Sequence, residues 1–300
     1  MSGSRHPSSP WKAVVCLLAF ALAAGVAVLR AGPAQEMLDH SAFVIVLDGD
    51  DAPVTDLTPA DVVIIEDGAP RPVTKIEVAS EPISIGLLVD TAQPRMGSSA
   101  PTRDLRNGLT AFVKIIQEAN PESRIAVMQT AGAAVMSVDF TNKTSDVNKA
   151  LGRLFPSQRT SAVVMEALVD MGKAIAKEPH RRRAIVSIDF DSQETSGVTG
   201  EDLSEAIQNA VTSVWAVSIH GGSASAAREA TLDAVTEITG GLRLTAVSAS
   251  ALTSQLETIA RALTSQYLVT YQRPNGSSVT QVRAAANKGA KFLATRILSK

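Results

Sequence analysis

Carboxylates stand where apolar runs stop. In "LLVDTAQPRM" the run ends at Asp90-Thr91, and in "RAIVSIDFDS" a second run ends at Asp189 and Asp191. A third, "SVWAVSIH", ends at His220 and is followed by Gly221-Gly222. Thr160, in "SQRTSAVVMEAL", precedes a helical pattern, which suits a helix N-cap. Carboxylates and hydroxyls gathered at strand ends suit three kinds of chemistry. They can ligate a hard cation, because magnesium takes oxygen ligands in a near-octahedral shell. They can share a proton, because two facing carboxylates repel and one pKa rises. They can also serve phosphoryl transfer, but those enzymes need a second carboxylate two residues on, where this chain has Ala92.

Other catalytic arrangements find little support. The chain has no G-x-S-x-G elbow, no P-loop and no H-E-x-x-H. Its one cysteine, Cys16, lies in an uncharged apolar stretch from residue 13 to 29, so the remainder has no thiol or disulfide. A net charge of −2 argues against nucleic acid, whose phosphates need concentrated positive charge. Aromatic residues make up 4% of the chain, too few for a base-stacking surface.

The elements that position these residues follow from hydrophobic rhythm. Residues 1–34 stand apart. Arg5 and Lys12 precede the 13–29 stretch, and "RAGPAQ" follows it. The stretch is longer than a signal core of roughly 7 to 15 residues and at the lower edge of a span of roughly 17 to 25. Cleaved signal and retained anchor are both open. Either sends the chain outward. Residues 35–81 read as short strands, with Asp67-Gly68 as a hairpin turn.

Residues 82–265 alternate strands and helices. "ISIGLLVD", "RIAVMQT", "RAIVSIDF" and "SVWAVSIH" do not alternate polar with apolar, as parallel strands buried on both faces should not. "AAVMSVDF" soon after "RIAVMQT" predicts an antiparallel edge strand. Apolar stripes at Leu105, Leu109, Phe112 and Ile116, at Val164, Leu168, Met171 and Ile175, at Leu232, Val235 and Ile238, and at Leu252, Leu256, Ile259 and Leu263 predict helices. Thr199 to Asp202 forms a capping box, and Gly240-Gly241 stops the third stripe. Residues 266–300 return to β-structure and are expected to pack with 35–81. The expected fold is therefore α/β: a doubly wound, mostly parallel sheet inserted into a small β-sandwich built from the N- and C-terminal strands. The basic run His180 to Arg183 precedes a strand at the end opposite the crevice. A solvated loop is expected there, with anionic lipid headgroups as the alternative contact.

This order resembles a von Willebrand factor A (VWA) domain, of the VWA-related family of exported bacterial proteins. The phrases that carry the resemblance are Glu66-Asp67-Gly68, Asp90-Thr91, Asp189, Thr239-Gly240-Gly241, and Gln266-Tyr267 with Tyr271. The resemblance implies a metal-ion-dependent adhesion site. A strand-end Asp-x-Ser-x-Ser, a loop Thr and a further Asp would hold the ion. Asp90, Thr160 and Asp189 match three of those positions, with Asp191 a possible substitute for the last. Ala92 and Pro94 stand where the two Ser ligands are expected, and Ser98 and Ser99 are out of register. The site is thus degenerate. It either holds Mg2+ or Mn2+ with water in place of hydroxyls, or it carries no cofactor.

The function expected is a non-enzymatic, extracytoplasmic protein-binding module. Asp90, Thr91, Thr160, Asp189, Asp191 and His220 are its candidate contacts. The partner is another protein, with no nucleic acid, and with membrane contact only through the N-terminal segment if that segment is not cleaved. The alternatives are a structural component of an envelope assembly and a metal-dependent hydrolase or phosphoryl-transfer enzyme.

Overall fold

The computed structural model describes residues 36–92, 99–157, 160–219, 225–276 and 281–296. The N-terminal apolar stretch lies outside them. Among the described residues no helix is long and apolar enough to cross a membrane.

The chain begins in β-structure: β1 (Met37–Leu47), β2 (Val62–Glu66), β3 (Ala69–Arg71) and β4 (Val73–Val78). Asp67 and Gly68 turn β2 into β3 with φ of 46° and 85°, the left-handed pair that a two-residue hairpin turn requires. Strands and helices then alternate through β5 (Ile83–Val89), α1 (Ser99–Ala119), β6 (Arg124–Gln129), β7 (Val135–Thr141) and α2 (Thr144–Gly152). They continue through α3 (Val164–Ile175), β8 (Arg182–Phe190), α4 (Gly200–Ala210), β9 (Ser213–Ile219), α5 (Ala226–Thr239), β10 (Arg243–Ala246) and α6 (Leu252–Thr264). The chain closes with β11 (Tyr267–Pro274), β12 (Val282–Ala286) and β13 (Lys291–Arg296).

Six strands form the central sheet in the order β10-β9-β8-β5-β6-β7. All pair in parallel except β7, which is antiparallel to β6. Every residue of β5 and β9 is buried, which is why these runs are apolar without alternation. Helices α1, α2 and α6 bury their apolar stripes on one face, and α3, α4 and α5 on the other. The α5 stripe is shorter than its pattern implies. Ile238 is exposed, because six residues after Leu232 it lies about 120° round the helix. Strand order reverses at β5, whose chain leaves toward β6 on one side and returns to β8 on the other. Such a reversal opens a crevice beyond the C-terminal strand ends.

The terminal strands build a sandwich. One sheet has the order β13-β1-β11-β4 and the other β12-β2-β3. Val44, Val46, Ile64, Val269 and Tyr271 fill the space between them. The opposite face of β1 presents Ile45 and Leu47 to the core shared with α6 and the central sheet. Burial on both faces accounts for the unbroken run "FVIVL". The α/β layers are thus inserted between β4 and β11.

Buried polar residues pin this assembly. The Glu66 carboxylate accepts a 2.6 Å hydrogen bond from Tyr271 Oη and pairs with Arg71 at 3.1 Å and Arg273 at 3.4 Å. Gly240 and Gly241 lie where backbones nearly touch. A Cβ at Gly240 would fall 2.0 Å from the Ala294 carbonyl oxygen, and one at Gly241 1.8 Å from that of Val214.

The basic run is not a solvated loop. Arg182 is buried, and its guanidinium donates to the carbonyls of Ala79, Glu81 and Leu263 and, at 2.9 Å, to Gln266 Oε1. These partners are the chain entering and the chain leaving the inserted domain, so one side chain ties both crossings. Burial pushes Arg182 down to about 10, which leaves it cationic at neutral pH. Arg183 donates to the carbonyls of Glu178, His180 and Ala210, and Arg181 forms a partly exposed pair with Glu81 at 2.8 Å. Charge counting cannot tell these three apart; only the position of each at the junction does. Arg182→Met should cost about 3 kcal/mol in urea unfolding, since it orphans several buried acceptors. Arg181→Met should cost about 1 kcal/mol or less. Equal small losses would restore the solvated loop.

Candidate functional site

The crevice is assembled by register. In the β5/β8 pairing Val89 lies opposite Ile188, and the Asp90 N–H donates to the Ile188 carbonyl at 2.9 Å. Asp90 and Asp189 therefore arrive at adjacent strand ends, each 1% exposed. Asp90 Oδ1 accepts the Ala92 N–H at 2.8 Å. Its Oδ2 accepts a close hydrogen bond from the Ser192 hydroxyl and a longer one, 3.4 Å, from the Phe190 N–H. Asp189 Oδ1 accepts from Ser187 Oγ at 2.8 Å, while its Oδ2 is buried with no hydrogen-bond partner among the described residues.

An arginine faces them. Arg228, on the first turn of α5, is 1% exposed. Its Nη1 donates to Ser192 Oγ at 3.1 Å, and its Nη2 donates to the Phe190 carbonyl. Nη1 lies 3.9 Å from Asp90 Oδ2 and 4.0 Å from Glu194 Oε2, and Nε lies 4.0 Å from Glu229 Oε1. Glu194 is itself buried and accepts the Val164 N–H at 3.1 Å, so it caps α3 from another loop. A second guanidinium, Arg243 on β10, donates to Ser218 Oγ and pairs with Asp233 at 2.8 Å and closely with Glu229.

Burial pushes Asp90 up to about 6, against the Ser192 hydroxyl, the Ala92 N–H and the Arg228 charge. Burial pushes Asp189 up to about 7, with the Asp90 charge adding to the rise and Arg228 and Ser187 opposing it. Burial favours a shared proton on the two carboxylates close to neutral pH.

The remaining expected residues are placed differently. Thr91 is buried, with Oγ1 3.5 Å from Gln129 Oε1. Thr160 is exposed and donates to the Ser157 carbonyl at 3.1 Å. It does not cap α3, whose first N–H groups go to Glu194 and to Ser196 Oγ. The threonine stands four residues ahead of the helix, too far to reach them. Asp191 is half-buried just after β8. Pro94, Ser98 and His220 lie outside the described residues. Ala92 is fully buried and bridged to Ser157.

These residues do not fit the divalent ion that the resemblance implies. Such an ion needs several free oxygens arranged around it. Both Asp90 oxygens are taken by donors, and Ala92 brings no side-chain oxygen. The Arg228 charge already lies 3.9 Å from Asp90 and would repel a second cation. Among the described residues no three His, Cys, Asp or Glu side chains are grouped to hold a metal.

No family model and no curated protein matches the chain. Solved structures do. A von Willebrand factor type A protein from Catenulispora acidiphila superposes with a TM-score of 0.52 at 12% identity, over 88% of this chain and 73% of that one. Proximal thread matrix protein 1 from the mussel byssus gives 0.52 at 13% identity, over 71% of this chain and 51% of that one. The chain has the VWA fold. At these identities the likeness is one of architecture.

Within this fold, sequence reasoning missed Arg228, Ser192, Glu194 and Arg243. Arg228 carried a readable signal. It lies three residues after the N-cap Ser225, where a cation opposes the positive end of the helix dipole. A cation in so unfavourable a position needs anions nearby. Ser192 and Glu194 carried none, since their role depends on where the loop after β8 folds.

A carboxyl whose folded-state pKa is raised binds its proton more tightly in the folded protein than in the unfolded chain. The contribution of these two carboxyls to stability is therefore full at low pH and is lost as pH rises from about 4 to about 7. Asp189→Asn should flatten that fall in urea unfolding measured across the window. A wild-type profile rising through the same window would contradict the desolvated pair.

Proposed function

We propose that this VWA domain is a non-enzymatic protein-binding module that works outside the cytoplasm, with the strand-end face as its contact surface. One observation carries the choice of face. Phe155 is 64% exposed, on the connection between α2 and α3, and the Arg106 guanidinium lies 4.6 Å from its ring centre. That connection is tied to the crevice by the Ser157 N–H, which donates to the Thr91 carbonyl at 2.8 Å. A rigidly backed aromatic paired with an arginine is the kind of group that dominates protein interfaces.

Asp90, Thr91 and Asp189 are buried, so a partner meets the rim rather than these side chains. Their part is to fix the strand ends beneath the rim. Export is supported by the uncharged 13–29 stretch behind Arg5 and Lys12. The absence of catalysis is supported by how fully Asp90 is engaged by internal donors.

The competing contact surface is the sandwich, where Val78 is exposed on the edge strand β4. It would serve a structural component of an envelope assembly. Partner capture from an envelope extract, with the full chain as bait, separates the two. Phe155→Ala should abolish capture while changing stability by no more than about 0.5 kcal/mol, and Val78→Ser should leave capture intact. The reverse pattern would transfer function to the sandwich. Turnover of a phosphoester that Asp189→Asn abolishes would overturn the non-enzymatic reading.

A further inference from the structure

We propose that the Arg228 guanidinium is the resident cation of this crevice, a covalently attached positive charge that organises the strand ends in place of a metal ion. This inference concerns the interior of the crevice and stands whether or not the rim binds a protein.

The geometry is that of a built site. The guanidinium is 1% exposed and lies among three elements. From the end of β5 it has Asp90 Oδ2 at 3.9 Å. From the end of β8 and the loop beyond it has the Phe190 carbonyl, Ser192 Oγ at 3.1 Å and Glu194 Oε2 at 4.0 Å. From its own helix it has Glu229 Oε1 at 4.0 Å. Ser192 joins the parts, because its hydroxyl donates to Asp90 while its oxygen accepts from Arg228. Glu194 extends the network to the start of α3 through the Val164 N–H.

A divalent ion would gather the same strand ends and loops, but its hold would follow its concentration. A tethered guanidinium cannot leave. Asp90 at the end of β5 and the loop after β8 are thereby tied to the N-terminus of α5 without a free ion. Arg228 also lies at the positive end of the α5 dipole, which disfavours a cation there and leaves the carboxylates as its chief compensation.

The experiment uses the full chain. Manganese binding is followed by electron paramagnetic resonance, and thermal unfolding is followed with magnesium, with manganese and with EDTA. Wild type should bind no manganese saturably, and its midpoint should not shift among the three conditions. Arg228→Met should lower the midpoint by about 10 °C, as expected for an unpaired buried charge. Adding Asp90→Asn to Arg228→Met should recover part of that loss, because it removes the uncompensated anion. If Arg228→Met does not fold, Arg228→Lys should fold with a smaller loss and remain blind to metal, since it keeps the charge without the planar fork. Saturable manganese binding by wild type that Asp90→Asn removes would overturn the proposal. So would an Arg228→Met chain as stable as wild type, or an Asp90→Asn substitution that deepens its loss.

Discussion

Two carboxylates at neighbouring ends of parallel strands, away from water, set the constraint that the rest of the crevice answers. The β5/β8 register makes their meeting unavoidable. Desolvation opposes charging both, which is why both titrate high. Without a cation, that cost would fall on the whole domain. Arg228 supplies the cation from the first turn of α5. Ser192 and Glu194 follow, bringing the loop after β8 and the start of α3 into one network.

The far end of the sheet repeats the device with the sign reversed. Arg182 is a buried cation answered by carbonyls from the chain entering and leaving the inserted domain. Glu66 is a buried anion inside the sandwich, answered by Tyr271, Arg71 and Arg273. These pins explain the phrases by which the fold is recognised. Glu66 and Tyr271 touch each other, Gln266 touches Arg182, and Gly240-Gly241 admit the backbones of β13 and β9. Such residues hold layers together. They carry information about architecture and little about chemistry.

Much of the fold was legible because periodicity reports burial directly. The non-alternating runs became β5, β6, β8 and β9, and the stripes at Leu105, Val164 and Leu252 became α1, α3 and α6. The hairpin at Asp67-Gly68 and the capping box at Thr199 followed from local chemistry. Two elements were not read. Strand β10 is four residues long and partly exposed, too short for a pattern, and α2 buries only Val147, Ala150 and Leu151. Local pattern puts a cap at Thr160, but the Val164 N–H is capped by Glu194, 30 residues further along the chain.

By itself the sequence determined the doubly wound order, the strand ends that carry Asp90 and Asp189, and the lack of side-chain hydroxyls at Ala92 and Pro94. Those are matters of residue type at a local position. Tertiary structure alone decided what neutralises the carboxylates, because Arg228 lies more than a hundred residues from Asp90 and reaches it only once α5 is packed. It also decided that Arg182 is buried while Arg181 is not. Electrostatic compensation acts through space, and space between distant residues is what a linear pattern does not record.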